Sequence, residues 1–273
     1  MSLFLCPLCA ARLTREEKSY RCEKGHCYDV ASSGYVNLLP VNKKRSASPG
    51  DDKAMAAARR AFLDQGYYRP LQEAISAAIV KRAPAKAVLL DAGCGEGYYT
   101  AGLYHALVEN GKNPKMAGID ISKEILKSAA KREKNIEYAV ASSFHLPIET
   151  GAVDVLLDCF SPLAEEEFRR VLRPDGYFVY VVPAAKHLWE MKCALYDRPY
   201  FNEEKDIEYD GFRYEEIIEV KTRLTLGCRK DIADLFAMTP YFWRTPKEGA
   251  QRLAQLETLE TAAEFRIHVL KKI

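Results

Sequence analysis

Val88-Leu-Leu-Asp-Ala-Gly-Cys-Gly-Glu-Gly-Tyr-Tyr-Thr100 is the stretch on which the fold turns. Val88 to Leu90 reads as a buried parallel strand. Gly93, Gly95 and Gly97 then let the backbone turn tightly and approach a ligand where a Cβ would collide. A helix is expected from about Glu96. A dinucleotide loop spaces its glycines G-x-G-x-x-G to seat a pyrophosphate on a helix N-terminus. Here the pattern is G-x-G-x-G, with Asp91 two residues ahead of it. Carboxylates at the mouth (Asp91) and at the centre (Glu96) repel phosphates and suit an ammonium or sulfonium cation.

Downstream, Met116-Ala-Gly-Ile-Asp-Ile-Ser122 reads as a second strand ending in Asp120, placed to take both hydroxyls of a ribose. A glycine-rich turn alone is a plain β-to-α connection, and the two acids at this spacing are what make it specific. The pattern resembles the class I S-adenosylmethionine-dependent methyltransferases. Helices are expected over residues 53–65, 69–82, 96–110, 122–132 and 165–172, and strands over 136–141, 153–160 and 177–182. Arg173-Pro-Asp-Gly176 reads as a turn. With the two strands already placed, this makes five parallel strands of a doubly wound α/β sheet, with the ligand at their carboxyl ends. Residues 217–226 and 265–271 fit the antiparallel hairpin that closes methyltransferase sheets. Many class I enzymes carry an acid after the third strand to hold the adenine amino group. This chain has Ser142, a weaker hydrogen-bonding anchor. His187, after the fifth strand, falls near the same pocket.

At 273 residues, with 48% hydrophobic, the chain suggests one large domain plus a small appendage. The expected division is a zinc-binding unit over residues 1–40, a linker over 41–52 and a methyltransferase domain over 53–273. The net charge of +2 means that any nucleic-acid contact must come from local basic clusters. Lys43, Lys44 and Arg45 in the linker are one such cluster. Eight cysteines, with neither a leader pattern nor an apolar run long enough for a bilayer, lead to the expectation of a reducing cytoplasm and no disulfides.

Four of those cysteines lie near the N-terminus. Cys6-Pro-Leu-Cys9 is a C-x2-C pair, and after a twelve-residue spacer comes Cys22 with His26 as C-x3-H. Two short loops that each offer two such donors can close a tetrahedron around zinc, and a segment this small does not otherwise bury enough surface to fold. Cys27 offers a rival fourth ligand, though it cannot easily join His26 on one ion. With no open position, the site reads as structural. Tyr28 to Pro40 reads as short strands completing a zinc ribbon.

The zinc knuckle, Gly34-Tyr-Val-Asn-Leu-Leu-Pro40, Arg59-Arg-Ala-Phe-Leu63, the glycine loop and Met238-Thr-Pro-Tyr-Phe-Trp243 occur together and in this order. By that combination the chain resembles the bacterial 23S rRNA (guanine-N1)-methyltransferases over nearly its whole length. Members of that family modify neighbouring guanines of one hairpin, some in connection with macrolide-type resistance. The resemblance implies a zinc domain for RNA recognition and a homodimer acting on an rRNA hairpin. It also implies zinc ligands at Cys6, Cys9, Cys22 and His26, and cofactor contacts at Tyr68, Glu96, Gly97 and His187. Guanine N1 carries a proton at neutral pH that must leave as the methyl arrives, and Asp158, at the end of the fourth strand, is the candidate base. Phe160-Ser-Pro162 is expected to line the pocket of the splayed base, with Phe160 stacking on it. A small-molecule, quinone-like methyltransferase is the rival reading, since Ser142 to Pro147 and Arg173 to Gly176 occur in that branch too, and the zinc module argues against it. A non-catalytic RNA-binding scaffold is another, and the intact Asp91, Gly93, Gly95, Gly97 and Asp120 set argues for cofactor binding.

Overall fold

The structure is a computed structural model that describes residues 2–40, 53–204 and 207–273. The chain opens with β1 (Leu13–Arg15), β2 (Ser19–Cys22), β3 (Cys27–Asp29) and β4 (Tyr35–Asn37). Two helices, α1 (Lys53–Asp64) and α2 (Arg69–Val80), lead to β5 (Val88–Ala92), α3 (Tyr98–Glu109), β6 (Lys115–Asp120), α4 (Lys123–Arg132) and β7 (Glu137–Val140). Then follow β8 (Val153–Cys159), α5 (Glu165–Val171), β9 (Leu172–Pro183), α6 (Trp189–Leu195) and β10 (Phe212–Leu226). The chain closes with α7 (Arg229–Ala237), α8 (Tyr241–Arg244), α9 (Lys247–Ala254) and β11 (Leu259–Lys272).

β1, β2 and β3 form a small antiparallel sheet, and the other strands form one sheet in the order β10-β11-β9-β8-β5-β6-β7-β4. The five expected strands, β5 to β9, pair in parallel. Every residue of β8 is buried, as a strand covered on both faces requires. The order reverses between β5 and β8, so a crevice opens outside their carboxyl ends. β10 and β11 pair antiparallel from Phe212↔Lys272 to Leu226↔Leu259. Their connection holds α7, α8 and α9, so the closing pair is no tight hairpin.

Three expectations need correction. Tyr35–Asn37 does not stay with the zinc ribbon but pairs in parallel with β7 at the far edge of the large sheet. Tyr35 and Leu39 pack into the core on one side of that sheet, whereas Val36 and Leu38 pack into the other, and only a strand between two apolar layers can bury both sets. The glycine-loop helix starts at Tyr98, because Gly93, Gly95 and Gly97 have φ of 93°, 56° and 85°, which no right-handed helix accommodates. The turn at Arg173–Gly176 lies within β9 as an irregularity between the pairs Val153↔Leu172 and Val155↔Tyr177. The expected linker, with Lys43, Lys44 and Arg45, lies outside the described residues.

The ribbon is welded to the large domain. Phe4, Cys6, Leu13, Tyr20 and Cys22 belong to the same buried cluster as Leu90, Ala117 and Leu156. Glu137 on β7 accepts hydrogen bonds from the Ser2 hydroxyl (2.5 Å), the Leu3 N–H (3.2 Å) and the Tyr20 hydroxyl (3.1 Å). Among the described residues, no helix is long and apolar enough to cross a membrane.

Candidate active site and metal centre

The glycine loop leaves β5 at the point where the strand order reverses. Asp91 is 2% exposed, and its Oδ2 accepts from the Thr100 hydroxyl at 2.6 Å while Oδ1 has no partner. Burial, opposed by the Thr100 bond and reinforced by Asp120, pushes its carboxyl up to about 7. Gly93 admits no side chain, since a Cβ there would lie 2.3 Å from Ser161 Cβ. Asp120 accepts from the Gly95 N–H at 3.1 Å and the Ser122 N–H at 2.8 Å, which fixes its carboxylate beside the loop. Carboxylate oxygens have lone pairs to spare for two hydroxyls.

Glu96 is 1% exposed and forms an ion pair with Arg132, which also donates to Asp64 at 2.8 Å. The centre of the loop is therefore less negative than the sequence alone suggests, although Glu96 Oε1 has no partner. Burial raises the Glu96 pKa and Arg132 opposes the rise.

Across the crevice, Tyr68 and His187 meet on Phe265. Their ring centres lie 4.9 and 4.6 Å from that of Phe265, and Tyr68 is 6.2 Å from His187. Burial, helped by the Lys192 charge, takes the imidazole down to about 3 and keeps it neutral, and its Nδ1 is buried without a partner. Asp158 is fully buried at the end of β8. Its Oδ1 accepts from the Ser161 N–H at 3.1 Å, its Oδ2 is unpartnered, and burial pushes it up to about 7. Phe160 follows with φ 62° and is 40% exposed, with its ring 5.7 Å from Phe265. Ser142 lies just beyond β7: its Oγ accepts from the Phe144 N–H at 3.3 Å, and it lines a cavity of about 510 Å³ with Leu5, Pro7, Leu8 and Arg170.

The N-terminal donors gather without help from distant chain. The ligand atoms of Cys6, Cys9, Cys22 and His26 all lie within 4.8 Å of one another, with His26 Nδ1 3.4 Å from both Cys6 and Cys22 sulfurs. Cys27 is exposed on β3, outside this cluster, so the geometry selects His26. Burial raises the Cys6 pKa, but hydrogen bonds from the Tyr28 hydroxyl and the Leu8 and Cys9 backbone outweigh it and bring the thiol down to about 6. Thiolate is the form that binds metal. Three sulfurs and one imidazole nitrogen suit tetrahedral zinc with no open position.

Comparison with known proteins identifies both halves. The family model described as "RlmA, N-terminal", a zinc ribbon, matches residues 4–47, and that of a "Methyltransferase domain" matches residues 84–221. A "23S rRNA (guanine(748)-N(1))-methyltransferase" of Streptomyces fradiae is 35% identical over 259 residues, covering 92% of this chain and 90% of that protein. The chain belongs to the 23S rRNA (guanine-N1)-methyltransferase family. Two relatives named provisionally for the same reaction agree. The one from Micromonospora griseorubida is 32% identical, with 96% of this chain and 95% of the relative covered. The one from Bacillus subtilis is 31% identical, with 97% and 96% covered.

The cofactors of the family, S-adenosylmethionine and structural zinc, both fit the residues present. For S-adenosylmethionine the observation is a set of buried polar atoms without protein partners: Asp91 Oδ1, Glu96 Oε1, Tyr99 Oη and His187 Nδ1. Such atoms are costly unless a ligand or water satisfies them. The structure thus brings Asp91, Gly93, Gly95, Glu96, Gly97 and Asp120 together around one loop, sets Tyr68 and His187 on Phe265, and leaves Ser142 beside the zinc ribbon. Reasoning from sequence missed Thr100, Arg132 and Phe265. Thr100 lies in the first turn of α3 and had a local signal, whereas the other two reach the site from remote parts of the chain.

Proposed function

We propose that the protein transfers the methyl group of S-adenosylmethionine to N1 of a guanine in a 23S rRNA hairpin. The observation that carries this reading is the union of a zinc ribbon with a methyltransferase crevice, along a chain that matches the rRNA enzymes over nearly its full length. S-adenosylmethionine supplies a methyl group on a sulfonium sulfur, an electrophile ready for in-line attack. Asp91 and Glu96 bind its cationic end, Asp120 its ribose hydroxyls, and Tyr68 and His187 wall the pocket. Ser142 is assigned the adenine side, with its hydroxyl as the available polar group. Cys6, Cys9, Cys22 and His26 hold the zinc.

Asp158 is the proposed acceptor of the N1 proton. Burial leaves its carboxyl titrating near neutrality, and its unpartnered Oδ2 is the atom that takes the proton. Phe160, half-exposed at the same strand end, stacks on the splayed base. Ribosomal RNA as substrate places the enzyme in the cytoplasm, and the family resemblance supports a homodimer with the ribbon as its RNA-reading part.

The test is methyl transfer from labelled S-adenosylmethionine to unmodified 23S rRNA, followed by primer extension. Methylation of N1 blocks the Watson–Crick edge, so one new stop in the hairpin is expected. In Asp91→Ala, transfer is expected to vanish while RNA binding persists. Full activity in that variant would remove the cofactor assignment, and RNA binding without any transfer by the wild type would favour the scaffold reading.

A further inference from the structure

The segment Met238–Trp243 takes no part in the catalytic assignments above, and the structure sets it beside a second segment of similar character. α8 buries none of its residues, leaving Phe242 43% and Trp243 66% exposed, their ring centres 5.1 Å apart. The chain after α6 carries Tyr200 and Phe201, 51% and 52% exposed, and Phe201 stacks on Trp189 at 4.3 Å. Exposed rings gathered this way mark a surface that something covers.

Lys192 joins the two segments. Its Nζ donates to the Tyr200 carbonyl at 3.1 Å and to Asn202 Oδ1 at 2.6 Å, and lies 4.8 and 5.4 Å from the ring centres of Tyr200 and Tyr241. Asn202 in turn donates to the Ala184 and Ala185 carbonyls just beyond β9, at 2.8 and 2.9 Å. The Lys192 side chain is fully buried and is held by neutral acceptors and ring faces. Such a group costs stability and holds a geometry. That geometry adjoins the candidate cofactor pocket: His187, packed on Phe265, lies two residues ahead of α6.

The charge around these rings favours an anion. Lys186, Arg198, Arg244 and Lys247 are exposed and pair with no carboxylate among the described residues. Of the acids in the same segments, Glu190, Asp197 and Glu204 are each taken by an arginine (Arg223, Arg252 and Arg266). Aromatic faces interleaved with unpaired cations suit single-stranded RNA, whose bases stack while its phosphates pair.

We propose that this patch is a stacking platform for the unpaired nucleotides next to the target guanine, with Lys192 as its positioning residue. The proposal rests on the rRNA reading above. Trp189 and Trp243 are the chain's two tryptophans, so intrinsic fluorescence reads this patch directly. Titrating the full-length protein with unmodified 23S rRNA hairpin is expected to quench that emission. Trp243→Ala and Phe201→Ala are each expected to raise the Kd for the hairpin about 10-fold, with affinity for S-adenosylmethionine as in the wild type and binding largely retained in Trp243→Phe. Arg244→Gln should lower the slope of log Kd against log salt by about 0.7. A hairpin that is bound and methylated with unchanged emission, and with wild-type Kd in both alanine variants, overturns the platform and leaves the rRNA reading standing. A wild type that neither binds nor methylates 23S rRNA overturns both. Alanine variants that convert a dimer to a monomer at unchanged hairpin Kd make the patch a contact between copies, which also overturns the proposal.

Discussion

Two buried carboxyls, Asp91 and Asp158, lie near the ends of β5 and β8, and both are pushed up to about 7 chiefly by loss of water. For Asp158 the consequence is a titration in the working range. A base must be ionised, so kcat is expected to rise with pH through about 7 and level off above it. Asp158→Asn should lower kcat by about 10²- to 10⁴-fold and abolish that rising limb. A wild-type rate and profile in the variant would return Asp158 to a purely structural role. The same burial has a signature in stability. The folded pKa lies above the ordinary carboxylate value of 3.8, so stability is lost as pH rises from about 4 towards 7, and Asp158→Asn should flatten that loss. The acids at positions 91 and 96 were legible in the sequence because their spacing from the glycines is local, and Asp120 because it ends the next hydrophobic strand. The neutralisation of Glu96 was not legible, because Arg132 reaches it from thirty-six positions away.

At the scale of the element, the glycine loop shows why a short stretch can carry so much of a fold. Gly97 combines φ of 85° with a close approach: a Cβ there would sit 2.9 Å from Ala129 Cα on α4. Both the left-handed backbone and the contact with main chain penalise any side chain, so Gly97→Ala is expected to cost more than about 1 kcal/mol. For a chain of this size that lowers Tm by at least about 2 °C. Weaker S-adenosylmethionine binding should accompany the loss, because α3 begins at the next residue. Calorimetry of the variant with and without cofactor checks both, and an unchanged Tm would mean that α3 and α4 part easily. The start of α3 expected at Glu96 is two residues early, because its neighbours Gly95 and Gly97 are both left-handed.

Across the whole molecule, the zinc ribbon and the methyltransferase domain share one core, and this predicts how metal loss propagates. About one zinc per chain is expected on metal analysis of protein purified without chelator. Chelation should then lower the Tm of the entire protein, not release a small unfolding ribbon, because Phe4, Leu13 and Tyr20 pack among residues of the large sheet. A metal-free protein with unchanged melting would refute the zinc assignment. Sequence by itself determined the class of fold, the cofactor loop and three of the four zinc donors, since hydrophobic period, glycine spacing and paired cysteines all act over a few residues of chain. Tertiary structure decided where β4 goes, which partner neutralises Glu96, that Ser142 lies by the ribbon, and that Tyr200 and Tyr241 meet at Lys192. Those are contacts between segments far apart in the chain, and their free energies depend on which faces meet, a quantity that no local pattern encodes.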